Sequence, residues 1–327
     1  MKKIILVTGG AGYIGSHTVK ELLKSGRQNI VVVDDLSTGD VSKVAKGATF
    51  VKGDFADSRI LTPILKSGVD TVIHFAASKV APESVKNPEK YYENNVAKSI
   101  KLLELCVKHD VKNFIFSSSA AVYGDVHGSP ITEDFPTVPT NPYGWSKLMF
   151  EQILIDSSAA HSLRHVSLRY FNAGGADPEG ELGNDHAKGE DLVSVLMVAA
   201  VTGNEFTIFG TDYDTKDGTC VRDLVHVSDL ASAHIKALEY LENGGESVTV
   251  NLGSEKGFTV GEIADLTKRI TGSDFKVTEG GRRSGDIVIS IASSEKAQRK
   301  LGWEKRYSDM DTIIKTAWSW ESKGRNR

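Results

Sequence analysis

The stretch VTGGAGYIG, residues 7–15, follows an apolar run and precedes a segment of helical period. Glycines at such a point let the backbone turn tightly and approach a pyrophosphate, whose charge the N-terminus of the next helix stabilises. Gly10, Gly12 and Gly15 fit the dinucleotide fingerprint, while Gly9, Gly12 and Gly15 fit its wider-spaced variant. A tight strand-to-helix turn without a ligand is the alternative, so the surrounding sequence has to decide.

Short apolar runs recur on either side of this stretch. They are nearly continuous rather than alternating, which is typical of strands buried on both faces in a parallel sheet. Helical segments are predicted between them, near residues 13–25, 58–67, 88–109 and 143–160. This order predicts an α/β fold with a Rossmann-type doubly wound parallel sheet and an NAD-binding domain over residues 1–172. The predicted strands are KIILVTG, NIVVVDD, ATFVKGD, DTVIHFA, NFIFSSS and HVSLRYF.

The pattern changes after Asn172. The stretch AGGADPEGELGNDHAKGED is rich in Gly and Asp and predicts a surface loop. Helices are then predicted near 228–243, 259–271 and 309–322. We therefore expect a smaller mixed α/β C-terminal substrate lobe over residues 173–327. Its strand SVTVNLG is predicted to return to the first sheet, within a segment near 224–253.

Composition excludes several kinds of partner. The chain has 327 residues, a formal net charge of -4 and no basic surplus, so a nucleic-acid partner is not expected. No apolar stretch approaches 18 residues, so no membrane partner is expected either. Cys106 and Cys220 lie far apart and lack the spacing of metal ligands, which predicts neither a disulfide framework nor a metal. These features predict a cytoplasmic localisation.

Polar and small residues follow the predicted strands at the edge where ligands of such sheets bind. Asp34 ends the second strand at about the distance expected for a ribose-binding carboxylate, and no arginine adjoins it, so NAD is favoured over NADP. Asp54 is suitably placed to bind the adenine amino group, or it could simply turn the chain into the next helix. Ala76 and Ala77 allow close approach of a cofactor, and Lys79 could reach a ribose or phosphate.

The segment NPYGWSK places Tyr143 one helical turn before Lys147, so both side chains are expected on one face. Three serines in FSSSAAVYG end the preceding buried strand, where hydroxyls need polar partners. Together they predict a Ser–Tyr–Lys site. Tyr123 is a competing tyrosine, but the residue four positions later is His127 rather than lysine, so Tyr143 is the better candidate.

Charge arithmetic limits what the pair can do alone. Lowering a phenol pKa from about 10 to about 7 requires about 4 kcal/mol. One cation about 6 Å away, at an effective dielectric constant of about 20, supplies about 2.8 kcal/mol. Lys147 therefore falls short, whereas Lys147 together with the positive nicotinamide ring would suffice. The pair is predicted to depend on the oxidised cofactor.

The order of motifs resembles the extended short-chain dehydrogenase/reductase family over nearly the whole chain. Within that family the resemblance is to enzymes that invert C4 of a UDP-hexose, and it implies an NAD-dependent isomerase that interconverts UDP-glucose and UDP-galactose through a 4-keto intermediate. It also implies a homodimer formed by two long helices from each subunit. The stretches that carry it include KVAPESV, YYENNV, FSSSAAVYG, NPYGWSKLMFEQIL, RYFNAGGADPEGELG, FGTDYDTKDGTCVRDLVHVSDLA and RRSGD.

The resemblance also implies roles for individual residues. Tyr143 would take the proton of the sugar 4-hydroxyl, Lys147 would lower its pKa and bind the nicotinamide ribose, and Ser119 would relay the proton. The residues expected around NAD are Gly9, Gly12, Tyr13, Ile14, Gly15, Asp34, Asp35, Asp54, Phe55, Phe75, Ala76, Ala77, Lys79, Asn94, Lys147 and Phe171. Those expected around the UDP-hexose are Lys79, Ser119, Tyr143, Asn172, Phe209, Arg222, Arg283, Asp286 and Ser290.

The two arginines fit a diphosphate because the guanidinium fork matches phosphate oxygens. From the residues alone, Arg222 and Arg283 could instead form surface salt bridges. Ser194 stands where the family usually has proline, near the uracil. Ser290 stands where the family has either tyrosine or a small residue facing the sugar. A small side chain leaves room for a 2-N-acetyl group, which predicts that UDP-GlcNAc and UDP-GalNAc are also accepted.

The residues after the fifth predicted strand distinguish this chain from some other enzymes with the same fold. Nucleotide-sugar dehydratases carry a Thr-Asp-Glu trio after the fifth strand, but this chain has Ser119, Ala120 and Ala121 there and lacks the acid. UDP-sugar 4-epimerases for pentoses or uronates, and related nucleotide-sugar-modifying members of the family, stay open. A cofactor sensor without catalysis is a further alternative, although such proteins usually lack the Tyr–Lys pair.

Overall fold

A computed structural model describes residues 3–126, 128–184, 191–283 and 287–324. Its strands are β1 (Ile4–Thr8), β2 (Ile30–Asp34), β3 (Thr49–Lys52), β4 (Val69–His74), β5 (Asn113–Ser119), β6 (Arg164–Tyr170), β7 (Asn172–Gly174), β8 (Phe206–Phe209), β9 (Val221–His226), β10 (Val248–Leu252), β11 (Gly257–Thr259), β12 (Val277–Gly280) and β13 (Ile289–Ser290). Its helices are α1 (Tyr13–Lys24), α2 (Ser58–Lys66), α3 (Ala81–Lys86), α4 (Pro88–Tyr92), α5 (Lys98–Lys108), α6 (Pro142–Ala160), α7 (Leu192–Thr202), α8 (Val227–Glu242), α9 (Val260–Thr271), α10 (Glu295–Leu301) and α11 (Met310–Gly324).

Within the described residues, seven strands form one parallel sheet in the order β10-β6-β5-β4-β1-β2-β3. The chain runs outward from β1 to β3 and then returns to the other side of β1 at β4. Ligands of doubly wound sheets bind at such a switch point, beyond the carboxyl ends of the strands. The predicted fold class is confirmed, and β10 joins this sheet beside β6 as predicted for the returning strand.

Two apolar layers cover the sheet because its strands are apolar on both faces. One layer includes buried residues of α1, α8 and α10, such as Leu22, Leu238 and Leu301. The other includes buried residues of α2, α5 and α6, such as Leu61 and Phe150. Because helices cover both faces of the sheet, the strands are held in fixed register. The carboxyl ends of the strands are then the part of the sheet at which a ligand can bind.

The predicted helix near 88–109 is interrupted. Its middle, Glu93–Ala97, is a π-helical turn between α4 and α5. Such turns inside helices are frequent at functional sites because they redirect one or two side chains. The sequence pattern did not predict this turn.

The second lobe has its own core. Buried residues of α7, α9 and α11 pack there, including Leu196, Ile263 and Ile313. Thr259 and Glu262 form a reciprocal capping box at the start of α9, and the side chain of Asp191 caps α7. Strands β7, β11 and β13 pair with β9, and β8 pairs with β12. The boundary between the two domains at residue 172 stays a prediction.

The loop predicted from AGGADPEGELGNDHAKGED falls partly outside the described residues, which omit 185–190. None of the helices in the described ranges is long and apolar enough to cross a bilayer.

Candidate active site

The glycine-rich turn between β1 and α1 lies at the switch point of the sheet. Gly9 has φ +74°, and a Cβ there would lie 2.6 Å from the backbone nitrogen of Ala76, so glycine lets this turn pass close to the end of β4. At Gly12 an added Cβ would meet only the carbonyl of Gly9, at 3.3 Å, among the described atoms. Within the described part of the chain, no side-chain hydrogen bond caps α1 at Gly12. An open, uncapped helix N-terminus fits the pyrophosphate of NAD.

The acidic residues predicted around the cofactor lie at the ends of β2 and β3. Asp34 is buried, and it accepts hydrogen bonds from the backbone nitrogens of Ala11 at 3.0 Å and Leu36 at 2.9 Å. The pKa of the Asp34 carboxyl is raised overall, because the effect of burial outweighs the two hydrogen bonds, which lower it. A carboxylate has about four acceptor positions, so Asp34 retains capacity for ribose hydroxyls. Asp35 is exposed and caps the turn at Ser37.

Asp54 takes the turn-forming role that the sequence analysis gave as one of its two possibilities. Its Oδ1 accepts from the backbone nitrogen of Ala56 at 2.8 Å, which turns the chain after β3. Its Oδ2 forms an ion pair with Lys98 at 2.6 Å, and this partner was not predicted. Binding of adenine by Asp54 stays a prediction.

The remaining residues predicted around NAD differ in exposure. Phe55 and Phe171 are buried, at 7% and 8% exposure, and Phe55 packs against His74. Phe75 packs against His234 with ring centroids 4.6 Å apart. The hydroxyl of Tyr13 donates to the carbonyl of Gly175 at 2.6 Å, across to the second lobe. Ile14, Ala76, Ala77 and Asn94 are half-buried, and Lys79 is exposed.

The predicted pair stands at the start of α6. Asn141 caps this helix by accepting from the backbone nitrogen of Gly144 at 2.9 Å, and Tyr143 lies in the first turn, where the positive end of the helix favours an anion. A Cβ at Gly144 would lie 2.5 Å from the carbonyl of Ala121, so glycine brings the helix against the end of β5. Lys147 Nζ lies 5.9 Å from the centre of the Tyr143 ring.

The serines at the end of β5 contact both members of the pair. Lys147 Nζ donates to the carbonyl of Ser117 at 2.8 Å. Ser119 Oγ accepts from the backbone nitrogen of Ala121 at 3.1 Å, which leaves its hydroxyl hydrogen to bond with Tyr143. The structure thus brings Ser119, Tyr143 and Lys147 together, and their catalytic roles stay a prediction.

The polypeptide alone does not make Tyr143 a base at neutral pH. Burial raises the pKa of Tyr143, and the hydrogen bond from Ser119 lowers it only in part. Burial lowers the pKa of Lys147 to about 7, against the opposing attraction of Glu151. The expected lowering of the phenol pKa by Lys147 is therefore not achieved by the protein's own groups, in line with the charge arithmetic.

Sequence reasoning missed Asn95, which lies in the π-helical turn and is 3% exposed. Its Oδ1 accepts from Ser78 N at 2.8 Å, and its Nδ2 donates to Ser78 O at 2.9 Å and to Ser146 Oγ at 3.0 Å. Ser146 in turn donates to the carbonyl of Tyr143 at 2.7 Å. Asn95 therefore ties the loop after β4 to the first turn of α6. The sequence signal for it was weak, because YYENNV offers two adjacent amides, Asn94 and Asn95, beside one charged residue, Glu93.

The residues predicted around the UDP group lie in the second lobe, mostly near its surface. Arg283 is exposed and lies over the ring of Phe209, 4.6 Å from its centre, and Phe209 is itself 40% exposed. Arg222 in β9 donates to the carbonyl of Ile287 at 2.6 Å and pairs in register with Ser290 of β13. Asn172 donates to the carbonyl of Asp223 at 2.9 Å. Asp286 lies outside the described residues.

Ser194, which replaces the family's usual proline, belongs to the cap of α7. Its backbone nitrogen donates to Asp191 Oδ1 at 2.9 Å, and its hydroxyl bonds Asp191 Oδ2 at 2.8 Å. Asn184 donates to the same hydroxyl at 3.0 Å. A proline could not donate the backbone bond, so the serine gives this helix start its own hydrogen-bonded anchor.

Comparison with known proteins identifies the class to which this fold and site belong. The sequence model of the NAD dependent epimerase/dehydratase family matches residues 5–253, and the chain belongs to that family. It is 48% identical over 318 residues to the UDP-glucose 4-epimerase of Halalkalibacterium halodurans, covering 97% of this chain and 95% of that protein.

Solved structures of related enzymes have the same fold as this chain. The UDP-glucose 4-epimerase of Brucella ovis in complex with NAD superposes with a TM-score of 0.93 at 45% identity, over 97% of each chain. That of Bifidobacterium longum, in complex with NAD⁺ and UDP, superposes with a TM-score of 0.92 at 38% identity, over 99% of each chain. The predicted family, enzyme class and cofactor are confirmed by these comparisons.

Proposed function

We propose that this protein catalyses the NAD-dependent, reversible epimerisation of UDP-glucose and UDP-galactose at C4. The observation that carries the proposal is the arrangement of Tyr143, Lys147 and Ser119 at the carboxyl end of β5 and the start of α6, with Ala120 and Ala121 following the serine. A tyrosine and a lysine at this place support removal of a carbinol proton, and the missing acid leaves no group to eliminate water.

Residues of the protein accept and return the proton of the sugar 4-hydroxyl. Tyr143 accepts the proton of the 4-hydroxyl as the carbon is oxidised, and it returns the proton to the same oxygen when the 4-keto sugar is reduced from its other face. Ser119 donates to the Tyr143 oxygen and stabilises the phenolate while it exists. Lys147, in its protonated form, supports the same negative charge.

The glycine-rich turn and the ends of the strands carry groups that suit NAD. Gly9, Gly12 and the N-terminus of α1 would take the pyrophosphate, and Asp34 would take the adenosine ribose. Bound there, NAD⁺ would supply the hydride acceptor for oxidation at C4 and the hydride donor for reduction, so that no net oxidation results.

The second lobe supplies the anchor for UDP. Arg222 and Arg283 provide guanidinium groups for the diphosphate, and Phe209 and Asn172 flank them. The sugar must turn over between oxidation and reduction, so it has to be held through the diphosphate and left loose at the hexose. Ser290, 8% exposed beside Arg222 in register, leaves room for an N-acetyl group, and UDP-GlcNAc and UDP-GalNAc are proposed as further substrates.

Conversion of UDP-galactose by the purified protein tests the proposal. We expect UDP-glucose to form until the two sugars reach equilibrium, with no net accumulation of NADH. The kcat of Tyr143→Phe should be lower than that of the wild type by about 1000-fold, within the range of general-base catalysis. UDP binding by Tyr143→Phe, followed by calorimetry, should match the wild-type protein. Full conversion by this variant would contradict the mechanism.

The same assay separates the remaining alternatives. A 4-epimerase for pentoses or uronates would convert UDP-xylose or UDP-glucuronate in preference to UDP-galactose. A cofactor sensor would bind NAD and convert none of them. Release of water with a product absorbing as an enone or 4-keto-6-deoxy sugar would indicate a dehydratase.

We also propose that the protein is a homodimer formed through an exposed apolar face of α3 and α6. Trp145 and Met149, one turn apart on α6, are 39% and 41% exposed, and Val85 on α3 is 64% exposed. Large apolar side chains clustered at the surface favour burial against a second copy. This face lies partly on α6, whose first turn contains Tyr143, so a partner would brace the start of the site.

Sedimentation velocity tests this interface. The wild-type chain should sediment as a dimer, and a Trp145→Glu/Met149→Glu variant as a monomer. Val41→Glu, at an exposed apolar residue distant in sequence, serves as the control and should stay dimeric. A monomeric wild-type protein, or a dimeric double variant, would refute the proposal.

A further inference from the structure

A buried carboxylate lies one helical turn beyond Lys147. Glu151 is 2% exposed, and residues four apart on a helix share one face. Its Oε2 accepts from Arg169 Nη2 at 2.6 Å and its Oε1 accepts from Arg169 Nε at 3.0 Å. Arg169 is 7% exposed. A buried ion pair rarely repays its own desolvation, so this pair has to be explained by something other than stability.

The pair is attached to the serines of the site. Glu151 Oε1 also accepts from the hydroxyl of Ser118. Ser118 lies between Ser117, whose carbonyl accepts from Lys147, and Ser119, which bonds Tyr143. The carboxylate therefore contacts the middle of the three-residue segment whose neighbours hold the lysine and the tyrosine.

On the far side the pair is braced by neutral groups. Arg169 Nη1 donates to the hydroxyl of Tyr123 at 3.0 Å, and that hydroxyl donates to Asn251 Oδ1 at 2.7 Å. Asn251 lies in β10, the strand that returns to the sheet. The chain of hydrogen bonds fixes Arg169 and, through it, the position of the Glu151 carboxylate.

Apart from the Glu151–Arg169 ion pair, three titratable groups described around Lys147 are neutral near pH 7. From its own helix, Tyr143 has a pKa raised by burial. From β4, His74 has its pKa lowered to about 3, by burial first and then by Lys147. From β6, burial raises the pKa of Tyr170, whose hydroxyl bonds Ser117 Oγ. Among the described groups that act on Lys147, Glu151 supplies the negative charge.

We propose that Glu151, held by its counter-ion Arg169, is a positioning residue that keeps Lys147 protonated beside Tyr143. The inference rests on the proposed function, in which the lysine supports the phenolate. Glu151 does not touch the reacting atoms and acts only through Lys147.

The consequence is a shift in pH dependence. Burial lowers the pKa of Lys147 to about 7, and the attraction of Glu151 opposes that shift. Without the carboxylate charge, Lys147 loses its proton at a lower pH, and Tyr143 then faces a neutral amine. The basic limb of kcat should move to lower pH, and the phenolate of Tyr143 should form at higher pH.

Two variants separate charge from hydrogen bonding. In Glu151→Gln the side-chain oxygen still accepts from Ser118 while the charge is lost, and in Ser118→Ala the charge stays while the bond is lost. We expect the basic limb of the kcat–pH profile to move down by about one unit in Glu151→Gln, the lower end for a nearby opposite charge. The limb should stay in place in Ser118→Ala, even if kcat falls.

The second readout does not need activity. The absorbance of tyrosinate is titrated in the NAD⁺-loaded protein, and the titration of the Tyr143→Phe protein is subtracted to isolate Tyr143. Its midpoint should rise in Glu151→Gln and stay at the wild-type value in Ser118→Ala. A wild-type midpoint in Glu151→Gln, or an equal shift in both variants, would overturn the inference.

The unpaired Arg169 could prevent Glu151→Gln from folding. The double variant Glu151→Gln/Arg169→Met removes both members of the pair, so that neither ion is buried alone. Because loss of the Arg169 cation offsets part of the loss of the Glu151 charge, the basic limb should move down by less than in Glu151→Gln. An unmoved limb and midpoint would again overturn the inference. A failure of the proposed function would show as a wild-type protein that converts no UDP-hexose. In that case the tyrosinate titration, which needs no activity, still decides whether Glu151 acts on Lys147.

Discussion

The edge of the large sheet and the second lobe hold their polar groups in opposite ways. At the sheet edge, Lys147 and Glu151 are 3% and 2% exposed, and each is hydrogen-bonded inside the protein. In the second lobe, Arg283 is exposed and rests on Phe209, which is 40% exposed. A fixed interior site suits transfer of a proton, where a misplacement of 1 Å is costly, and a surface site suits retention of a charged group.

This division agrees with the proposed reaction. The tyrosine and lysine must keep one geometry in both half-reactions, because the proton leaves and returns at the same oxygen. The UDP group needs only to be tethered while the hexose turns over. The comparison therefore predicts that variants of the sheet edge lower kcat, and variants of the second lobe lower affinity or change substrate choice.

After Tyr143→Phe, the largest effect is expected for Lys147→Met. Loss of the cation removes about 2.8 kcal/mol of support for the phenolate, which corresponds to about 100-fold in kcat. UDP affinity should stay within about threefold of wild type. Steady-state kinetics with UDP-galactose measures kcat, and calorimetry with UDP measures the affinity for UDP. Lys101→Met, at an exposed lysine of α5, is the control. An equal loss of UDP affinity would contradict the separation between the two regions.

Ser290→Tyr is expected to change substrate choice. The tyrosine would fill the space beside Arg222 that the N-acetyl group needs, so kcat/KM for UDP-GalNAc should fall by about 30-fold while that for UDP-galactose changes little. Conversion of both sugars by the same preparation measures the ratio. Ser290→Ala, which keeps the side chain small, should retain both activities. Unchanged activity of the tyrosine variant on the N-acetyl sugar would show that Ser290 does not set this choice.

Arg283→Gln should weaken UDP binding by about tenfold, the effect of one hydrogen-bonded charge near the surface, with little change in kcat. The neighbouring Arg282 offers a matched control, because its guanidinium binds Asp212 at 2.7 Å and no ligand role is proposed for it. Titration calorimetry with UDP on the two glutamine variants makes the comparison. Equal losses for both arginines would indicate a general electrostatic effect rather than a diphosphate site.

At the buried edge, a further effect is expected on the stability of the fold rather than on the reaction. His74 bonds Thr8 and Ser99, and burial lowers its pKa from 6.5 to about 3. The stability it contributes is present above pH 6.5 and is lost as the pH falls towards 3, because the unfolded chain binds the proton first. Its loss should amount to at most about 1.4 kcal/mol per pH unit.

The histidine effect can be measured from urea unfolding between pH 7 and pH 4.5. His74→Gln should show a shallower dependence on pH than wild type, whereas His161→Gln, at an exposed histidine, should match wild type. Identical slopes for His74→Gln and wild type would mean that the proton is taken up elsewhere.

Much of the large sheet could be predicted from the sequence. Strands buried on both faces are continuous apolar runs, and VTGGAGYIG fixes the first turn because only glycine tolerates the approach to Ala76. The Tyr143–Lys147 spacing likewise predicted a shared face, and the structure places the two side chains 5.9 Å apart, from ammonium nitrogen to ring centre.

The unpredicted parts depend on contacts between distant segments. The π-helical turn at Glu93–Ala97 has no periodic signature, so Asn95 and its bonds to Ser78 and Ser146 were missed. Glu151 repeats the spacing of Lys147 one turn later, which signals a shared face. Its partner Arg169 comes from β6, 18 residues away, and the pairing could not be inferred from spacing.

The central claim is that the protein's own groups leave Tyr143 protonated and that the positive nicotinamide completes the base. Tyrosinate titration of Tyr143 in protein loaded with NAD⁺ or with NADH tests it directly, since the two cofactors differ in the charge of the ring. One charge at about 6 Å corresponds to about two pKa units, so we predict a midpoint about two units lower with NAD⁺ than with NADH. The same midpoint with both cofactors would contradict the account.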